Sequence, residues 1–223
     1  GTPLQGHRHA YYLPTDEDED GRIDHLTVWA RDGLPREELE ALAAIPELKW
    51  ARRKDEDEEG EGQEAEAQGS TVGLWRDGSE PGRARLILLG FADHALAERI
   101  APRLFGPSRR WVSFSPFVLV RHSKVKKETV EGETRIRVVD GPEDQLKREL
   151  DHHGHPVEGV EIRQLRPVRG HWVEFRRRRP TGPVPAGGAY GFELVFPHEV
   201  KGPVALGYGC HYGLGLFLAE PKR

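Results

Sequence analysis

The segment from Gly202 to Ala219, with the sequence GPVALGYGCHYGLGLFLA, constrains the fold of this chain more than any other stretch. Its glycines are Gly202, Gly207, Gly209, Gly213 and Gly215. Glycines weaken a strand and usually mark the close approach of another backbone or of a ligand. They also adopt positive φ, which lets successive N–H groups form an anion-binding concavity. Because the titratable His211 lies among them, this glycine-rich segment is typical either of tight sheet packing or of phosphate binding.

The composition favours many short strands and turns over a helical bundle, since the 223 residues include 26 glycines and 17 prolines. The one cysteine, Cys210, allows no internal disulfide, which favours a reducing, cytoplasmic setting. No run of about 18 apolar residues occurs, so we expect no membrane partner. The sequence contains no methionine, and we therefore expect Gly1 to be preceded by further chain in the natural protein.

The charge is segregated along the chain, although the net value is only −4. Between Arg99 and Lys127 there are eight lysines or arginines and no acid, and between Arg163 and Arg179 there are seven arginines and one glutamate. The acids concentrate between Asp16 and Glu66. Most charge runs are solvated surface faces. Two basic blocks on an acidic chain, however, are also what a protein that binds a phosphate backbone needs.

The first half of the sequence predicts a β-α-β-β-α-β order, which is the ferredoxin-like unit. The predicted elements are strand His25–Ala30, helix Pro35–Ile45, strands Thr71–Arg76 and Ala84–Phe91, helix Asp93–Leu104 and strand Trp111–Val120. The acidic stretch Arg53–Ser70 is rich in Glu, Gly and Gln, and we interpret it as a disordered insertion.

A second, less complete copy follows, with only one helix. Its predicted elements are strand Thr134–Val139, helix Pro142–His153 and strands Val157–Val168, His171–Arg177, Ala189–Phe196 and Pro203–Tyr208 continuing to Leu214–Ala219. The histidines at the helix end, interpreted as surface residues, are His152, His153 and His155. The predicted fold class is α+β, with tandem ferredoxin-like (RRM-like) units over residues 1–120 and 121–223. Such sheets offer an open face to single-stranded RNA.

Three histidines precede or open the first predicted strand: His7, His9 and His25. Histidine can act as a general acid or base near neutral pH. Any one histidine is more often structural than catalytic, but three in one short block favour a functional interpretation for the block.

The same region carries a possible metal loop of the D-x-D-x-D-G type. Positions 1, 3, 5, 6 and 9 of that loop are Asp16, Asp18, Asp20, Gly21 and Asp24. Position 12 is Thr27, where a complete EF-hand needs a bidentate glutamate. The pattern therefore excludes a complete EF-hand and leaves open a weaker, structural Ca²⁺ or Mg²⁺ site.

Four stretches together resemble a known family: HRHAYYLP, DEDEDGRIDHLTVWA, WVSFSPFVLVRHSK and GPVALGYGCHYGLGLF. They resemble the C-terminal half of the fused backbone subunit of type I-G (earlier I-U) CRISPR effector complexes. That half is similar to the repeat-processing endoribonucleases of the RAMP superfamily, which have tandem ferredoxin-like folds and a glycine-rich C-terminal loop. The resemblance covers nearly the whole chain apart from the acidic insertion, and it implies an upstream half and other complex subunits as partners.

The resemblance implies cleavage of CRISPR precursor RNA within its repeats, without a cofactor for catalysis. In such enzymes the ribose 2′-hydroxyl attacks the adjacent phosphodiester and leaves a 5′-hydroxyl and a 2′,3′-cyclic or 3′-phosphate. Here the proton-transfer candidates are His9 and His25, with His7 in reserve. The phosphate candidates are His211 and the N–H groups around Gly207, Gly209 and Gly213. The RNA-backbone candidates are Arg121, His122, Lys124, Lys126, Lys127, Arg176, Arg177, Arg178 and Arg179.

Three alternatives remain. A non-catalytic subunit that holds the guide RNA would need the same basic blocks but no proton-transfer pair. A two-histidine phosphoesterase would need two H-x-T/S motifs, and the chain has only the one at His25–Thr27. A calcium-regulated binding module would bind Ca²⁺ and no RNA, which the basic blocks disfavour.

Overall fold

The computed structural model describes residues 10–50, 82–130, 133–165 and 188–220. The chain folds into two compact units, one formed by Gly1–Gly33 with Phe91–Arg223 and the other by Leu34–Gly90. Several predicted features lie outside the described residues: His7, His9, the acidic insertion, strands Thr71–Arg76 and His171–Arg177, and Arg176–Arg179.

The structure is a mixed α+β fold in which every strand pairing of the described residues is antiparallel. The strands are β1 (Tyr11–Thr15), β2 (His25–Trp29), β3 (Glu47–Trp50), β4 (Gly82–Arg85), β5 (Pro107–Ser113), β6 (Phe117–Val118), β7 (Lys124–Val130), β8 (Glu133–Val139), β9 (Glu161–Leu165), β10 (Ala189–Lys201), β11 (Val204–Ala205) and β12 (Leu216–Ala219). The helices are α1 (Arg36–Ala43), α2 (His94–Ile100), α3 (Pro102–Phe105) and α4 (Pro142–His152), with a 3₁₀ turn at Cys210–Tyr212.

The larger unit is built on a sheet with the order β11-β12-β5-β10-β6, and β9 also pairs with β10. Strand β12 separates two hydrophobic clusters, because its successive side chains point to opposite faces of the sheet. Phe217 joins a cluster with Trp111 and Phe192, whereas Leu216 and Leu218 join a second cluster. The sheet is therefore covered on both faces, as in a layered α+β domain.

Helix α4 covers the first cluster. It begins with Pro142 and carries two acidic residues in its first turn, which suits the positive end of the helix dipole. Leu146 and Leu150 lie one above the other on one face of the helix, and both are fully buried. The helix predicted over Pro142–His153 is confirmed to within one residue.

The hairpin β1–β2 contributes to the second cluster. Strand β1 alternates strictly, with Tyr11 and Leu13 buried and Tyr12 exposed. Tyr11 and Leu13 pack in the cluster that also contains Cys210, Leu216 and Leu218. The hairpin is thus packed beside the glycine-rich segment, and this contact creates the site described below.

The smaller unit contains α1 and the hairpin β3–β4, and none of its described side chains is buried. The hairpin pairs Glu47 with Arg85 and Trp50 with Gly82. The strand predicted over Ala84–Phe91 ends at Arg85. Beyond it, the Leu86 N–H donates to Pro46, and the proline has no N–H with which to continue the ladder.

Several predicted elements of the larger unit differ from the structure. The strand predicted over Pro203–Tyr208 is limited to Val204–Ala205, and the strand predicted over Ala189–Phe196 extends to Lys201. The single helix expected over Asp93–Leu104 is two helices, because Pro102 disfavours the helical conformation at Ala101, whose φ is −131° and ψ is 64°. The strand expected over Trp111–Val120 is interrupted between β5 and β6, at Pro116. The strand expected over Val157–Val168 begins at Glu161.

The α+β class predicted from the sequence is confirmed, but the tandem ferredoxin-like arrangement is not. Strand β5 lies before the predicted boundary at residue 120, and it pairs with β10 and β12, which lie after it. That boundary therefore does not separate two sheets in the described residues. Among the helices of the same ranges, none is long and apolar enough to cross a membrane.

Candidate functional site

The glycine-rich segment lies against β1, and its glycines make this contact possible. Gly209 and Gly213 flank the 3₁₀ turn with left-handed φ values of 78° and 83°. A β-carbon on Gly213 would lie 2.5 Å from Cδ of Pro14. Tight packing is thus one confirmed reason for the glycines, and the turn Cys210–Tyr212 is fixed in position on the hairpin.

Two contacts hold His211 in this turn. One is with Ala10, the residue before β1, and the other is with Tyr11 of β1. Its Nδ1 lies 3.3 Å from the carbonyl oxygen of Ala10. Its ring stacks on Tyr11, with ring centroids 4.0 Å apart and an interplanar angle of 24°. A carbonyl only accepts hydrogen bonds, so Nδ1 donates in this contact and the neutral ring has its lone pair on Nε2.

Tyr11 is the buried centre of the site. Its ring centroid lies 5.2 Å from that of Trp29, and its hydroxyl lies 3.4 Å from Nδ1 of His153. Burial, together with the nearby Cys210, raises the pKa of Tyr11 well above its usual range. The phenol is therefore neutral at physiological pH and acts as a hydrogen-bonding and stacking partner rather than as a charge.

The end of α4 supplies a carboxylate and an imidazole to the same site. Glu149 accepts a hydrogen bond from the Gly207 N–H at 3.1 Å, and its Oε2 lies 3.7 Å from Nε2 of His153. Burial pushes the pKa of Glu149 upward, but the nearby imidazole of His153 and the hydrogen bond from Gly207 outweigh it and hold the pKa below its ordinary value. Arg31 donates to the carbonyl oxygen of His153 at 2.7 Å.

Two of the three histidines near the end of α4 are not surface residues, contrary to the prediction. His152 is exposed, but His153 is 6% exposed and His155 is half-buried. Burial lowers the pKa of His155 to about 4 and, together with the charge of Glu149, raises the pKa of Cys210 to about 12. His155 and the Cys210 thiol are therefore both uncharged near neutral pH.

Two of the predicted phosphate donors already have partners within the chain. The Gly207 N–H donates to Glu149, and the Gly213 N–H lies 3.4 Å from the carbonyl oxygen of Cys210. Glu149 therefore accepts a hydrogen bond from one of the N–H groups that were predicted to bind a phosphate.

The structure does not bring His25 and His211 together. The backbone of His25 pairs with that of Thr15, whereas His211 stacks on Tyr11, four residues earlier in β1. Four residues of strand span about 13 Å. The hydrogen bond from Nδ1 of His25 to Asp24, 2.8 Å long, raises the pKa of His25 and favours its imidazolium form.

The predicted metal loop lies beside His25. Carboxylate oxygens of Asp16, Asp18 and Asp24 all fall within 4.8 Å of one another, and Asp20 is not part of this cluster. The Asp20 carboxylate accepts a hydrogen bond from the Arg22 N–H. Gly21 turns the loop with a φ of 90°, and its N–H donates to Asp16. Three clustered carboxylates suit a hard cation such as Ca²⁺ or Mg²⁺.

The structure describes only some of the basic residues that were predicted to bind the RNA backbone. Arg121 lies 3.6 Å from Asp140, which also pairs with Arg148. His122 and Lys124 are exposed. Lys126 and Lys127 lie in β7, where Lys126 is opposite Arg137 of β8. Asp140 thus offsets part of the charge of Arg121, and cationic positions continue into the β7–β8 hairpin.

No family model, curated protein or solved structure matches the chain. The site is therefore interpreted from its own geometry. Sequence reasoning missed Tyr11, Glu149 and His153. One signal was available, because Glu149 and His153 are four residues apart and so share a helix face.

Proposed function

We propose that the chain is a metal-independent endoribonuclease domain that cleaves CRISPR precursor RNA within its repeats. The observation that carries this proposal is the position of His211. Its imidazole is half-buried at the surface of the glycine-rich segment, hydrogen-bonded to Ala10 and stacked on the neutral phenol of Tyr11. A histidine oriented in this way through Nδ1 can exchange a proton through Nε2.

In the proposed reaction the ribose 2′-oxygen attacks phosphorus and the bond from phosphorus to the 5′-oxygen breaks. A base takes the proton of the 2′-hydroxyl, and an acid gives a proton to the leaving 5′-oxygen. The products are a 2′,3′-cyclic phosphate, which can open to a 3′-phosphate, and a 5′-hydroxyl. His211 performs one of these transfers. His9 is the proposed second group because it directly precedes Ala10 in the sequence, with His7 in reserve.

His25 suits a different task from His211. The raised pKa of His25 favours the imidazolium, which can contact a phosphate or donate a proton. Because about 13 Å of strand separates its position from that of His211, we assign it to a neighbouring phosphate rather than to the same proton-transfer pair. The exposed His122 and Lys124 and the β7–β8 hairpin would contact the RNA backbone.

The proposal extends to the partners that the resemblance implies. We propose that the chain works in the cytoplasm with the other subunits of a CRISPR effector complex. The absence of any possible internal disulfide, with Cys210 the only cysteine, supports the cytoplasmic setting.

A second candidate function is a non-catalytic subunit that holds the guide RNA. Two observations favour it: His25 and His211 lie at different ends of the hairpin, and Glu149 occupies the Gly207 N–H. A carboxylate at that position would repel a phosphate approaching Gly207.

Cleavage of a labelled repeat RNA in EDTA, with and without a 2′-deoxy sugar at the cleaved position, separates the two functions. We expect cleavage in EDTA that the deoxy sugar abolishes. His211→Ala should lower the rate by a factor of about 10² to 10⁴ while leaving RNA affinity unchanged. His198→Ala, which replaces an exposed histidine on β10, is the matched control. Binding without cleavage by the wild-type chain would instead support the guide-holding subunit.

A further inference from the structure

Two exposed tyrosines lie beside His211 with their rings parallel. Tyr212 is 64% exposed and Tyr12 is 40% exposed. Their ring centroids are 6.3 Å apart and their planes differ by 5°. Tyr212 is the one exposed residue of 202–220, whose residues from Gly213 to Ala219 are all buried. The exposure of the Tyr212 side chain therefore distinguishes it from the rest of this segment.

The backbone at both tyrosines is fixed by its contacts. Tyr12 points outward from β1 because it lies between the buried Tyr11 and Leu13. The N–H of Tyr212 donates to the carbonyl oxygen of Gly209 at 2.8 Å, and the next residue, Gly213, packs against Pro14. Binding a flat ligand on such a surface requires little reordering of the protein.

The two tyrosines form a second stacked pair between β1 and the 3₁₀ turn, separate from that of His211 and Tyr11. Consecutive residues of β1 meet consecutive residues of the 3₁₀ turn, so that Tyr11 stacks with His211 and Tyr12 stacks with Tyr212. The inner pair contains the titratable group and the outer pair offers aromatic faces to the solvent. A nucleotide bound at the outer pair would therefore contact Tyr212, the residue that follows His211 in the chain.

We infer that Tyr12 and Tyr212 form a stacking platform for one unpaired nucleobase of a single-stranded RNA. This inference rests on the proposed function. Aromatic side chains bind single-stranded RNA in this way, and stacking tolerates any base because each base has an aromatic face. The platform would fix the position of the strand, while base sequence would be selected elsewhere.

The test uses the full chain and single-stranded repeat RNAs that carry the fluorescent base 2-aminopurine at successive positions. We expect stacking to quench the fluorescence at one position. Tyr212→Ala and Tyr12→Ala should each abolish that quenching and weaken RNA binding roughly 5- to 150-fold. Tyr212→Phe should retain both, since it keeps the ring. Ile100→Ala, at a residue that is 65% exposed on α2, is the control for removing an exposed apolar side chain.

An RNA that lacks the base at the quenched position provides a second test. It should bind the wild-type chain as weakly as the intact RNA binds Tyr212→Ala, and combining the two changes should cause no further loss. Wild-type affinity and cleavage in both alanine variants would overturn the platform and leave the proposed function intact. A loss in Tyr212→Phe equal to that in Tyr212→Ala would also overturn it, because the hydroxyl would then be responsible. Absence of RNA binding by the wild-type chain would overturn both proposals.

Discussion

Glu149 on α4 is tied to Gly207 by a hydrogen bond that spans 58 positions of the sequence. At Gly207 a β-carbon would lie 2.6 Å from Cε2 of Phe117, and φ is 88°. The helix and the glycine-rich segment thus meet through a buried backbone donor and a carboxylate. At the Gly207 N–H, the Glu149 carboxylate therefore takes the place that an external anion such as a phosphate would occupy.

Replacing Glu149 with alanine should lower the free energy of unfolding by about 1–3 kcal/mol, because the Gly207 N–H would lose its acceptor. Glu149→Gln keeps an acceptor and should cost less. Urea unfolding measures both. Lys147→Ala, at an exposed position on the same helix, is the control and should change the stability little. An alanine variant at position 149 as stable as this control would contradict the prediction.

Gly215→Ala should be one of the most damaging substitutions in the chain. Its φ is 60°, and a β-carbon would lie 1.8 Å from the carbonyl oxygen of Leu206. We expect a loss of about 3 kcal/mol or more, from backbone strain and from overpacking together. Gly21→Ala tests strain alone, because Gly21 has a φ of 90° and open space around it. It should cost about 1 kcal/mol. Equal losses in thermal unfolding would show that the contact with Leu206 is unimportant.

His155 should make the stability depend on pH. Its pKa is about 4 in the folded chain, because of burial and then of His153 and Arg31, against an ordinary value of 6.5. Between these values the unfolded chain binds a proton that the folded chain does not, so stability falls as the pH falls from 6.5 to 4. The loss should be on the order of 3 kcal/mol.

Urea unfolding at several pH values between 7 and 4 measures this effect. His155→Gln should remove most of the pH dependence, whereas His198→Gln, at an exposed position, should leave it unchanged. A wild-type curve that does not fall over this range would contradict the assignment to His155.

The acidic loop should bind Ca²⁺ without taking part in cleavage. Asp16, Asp18 and Asp24 supply the clustered oxygens. Calcium at 100 times its Kd would raise the free energy of unfolding by about 2.7 kcal/mol. Asp18→Asn should remove this calcium-induced stabilisation, whereas Asp32→Asn, at an exposed aspartate outside the loop, should retain it. The RNA cleavage rate in EDTA should equal that in calcium. No thermal shift with either Ca²⁺ or Mg²⁺ would contradict the prediction.

Sequence patterns that span only a few residues predicted individual helices and strands. The helix at Pro142 and the strand at Thr134 follow from side-chain periodicity and a proline at the first helical position. The break at Ala101 could also have been predicted, because Pro102 restricts the residue before it. The sheet order could not, because β5 pairs with strands that lie far along the chain.

The site was predicted in part for the same reason. The glycines and His211 stand out in the sequence, and the structure places them in one turn. Tyr11 stacks on His211 but lies about 200 positions earlier in the sequence. Its neighbour Ala10, which also contacts His211, is 201 positions away. No local period identifies such a partner. The burial of His153 likewise depends on where Tyr11 packs, which α4 alone does not determine.

The central position of β5 determines when the larger unit can fold. The hydroxyl of Ser113, at the end of β5, accepts from an N–H of β10 that lies 79 positions later, and Ser115 contacts β12 across 101 positions. Once Trp111 and Val112 of a nascent chain have emerged from the ribosome, they must wait for these partners with their apolar side chains exposed. Folding of this unit therefore follows translation of its last strands, and during synthesis the chain is vulnerable to aggregation.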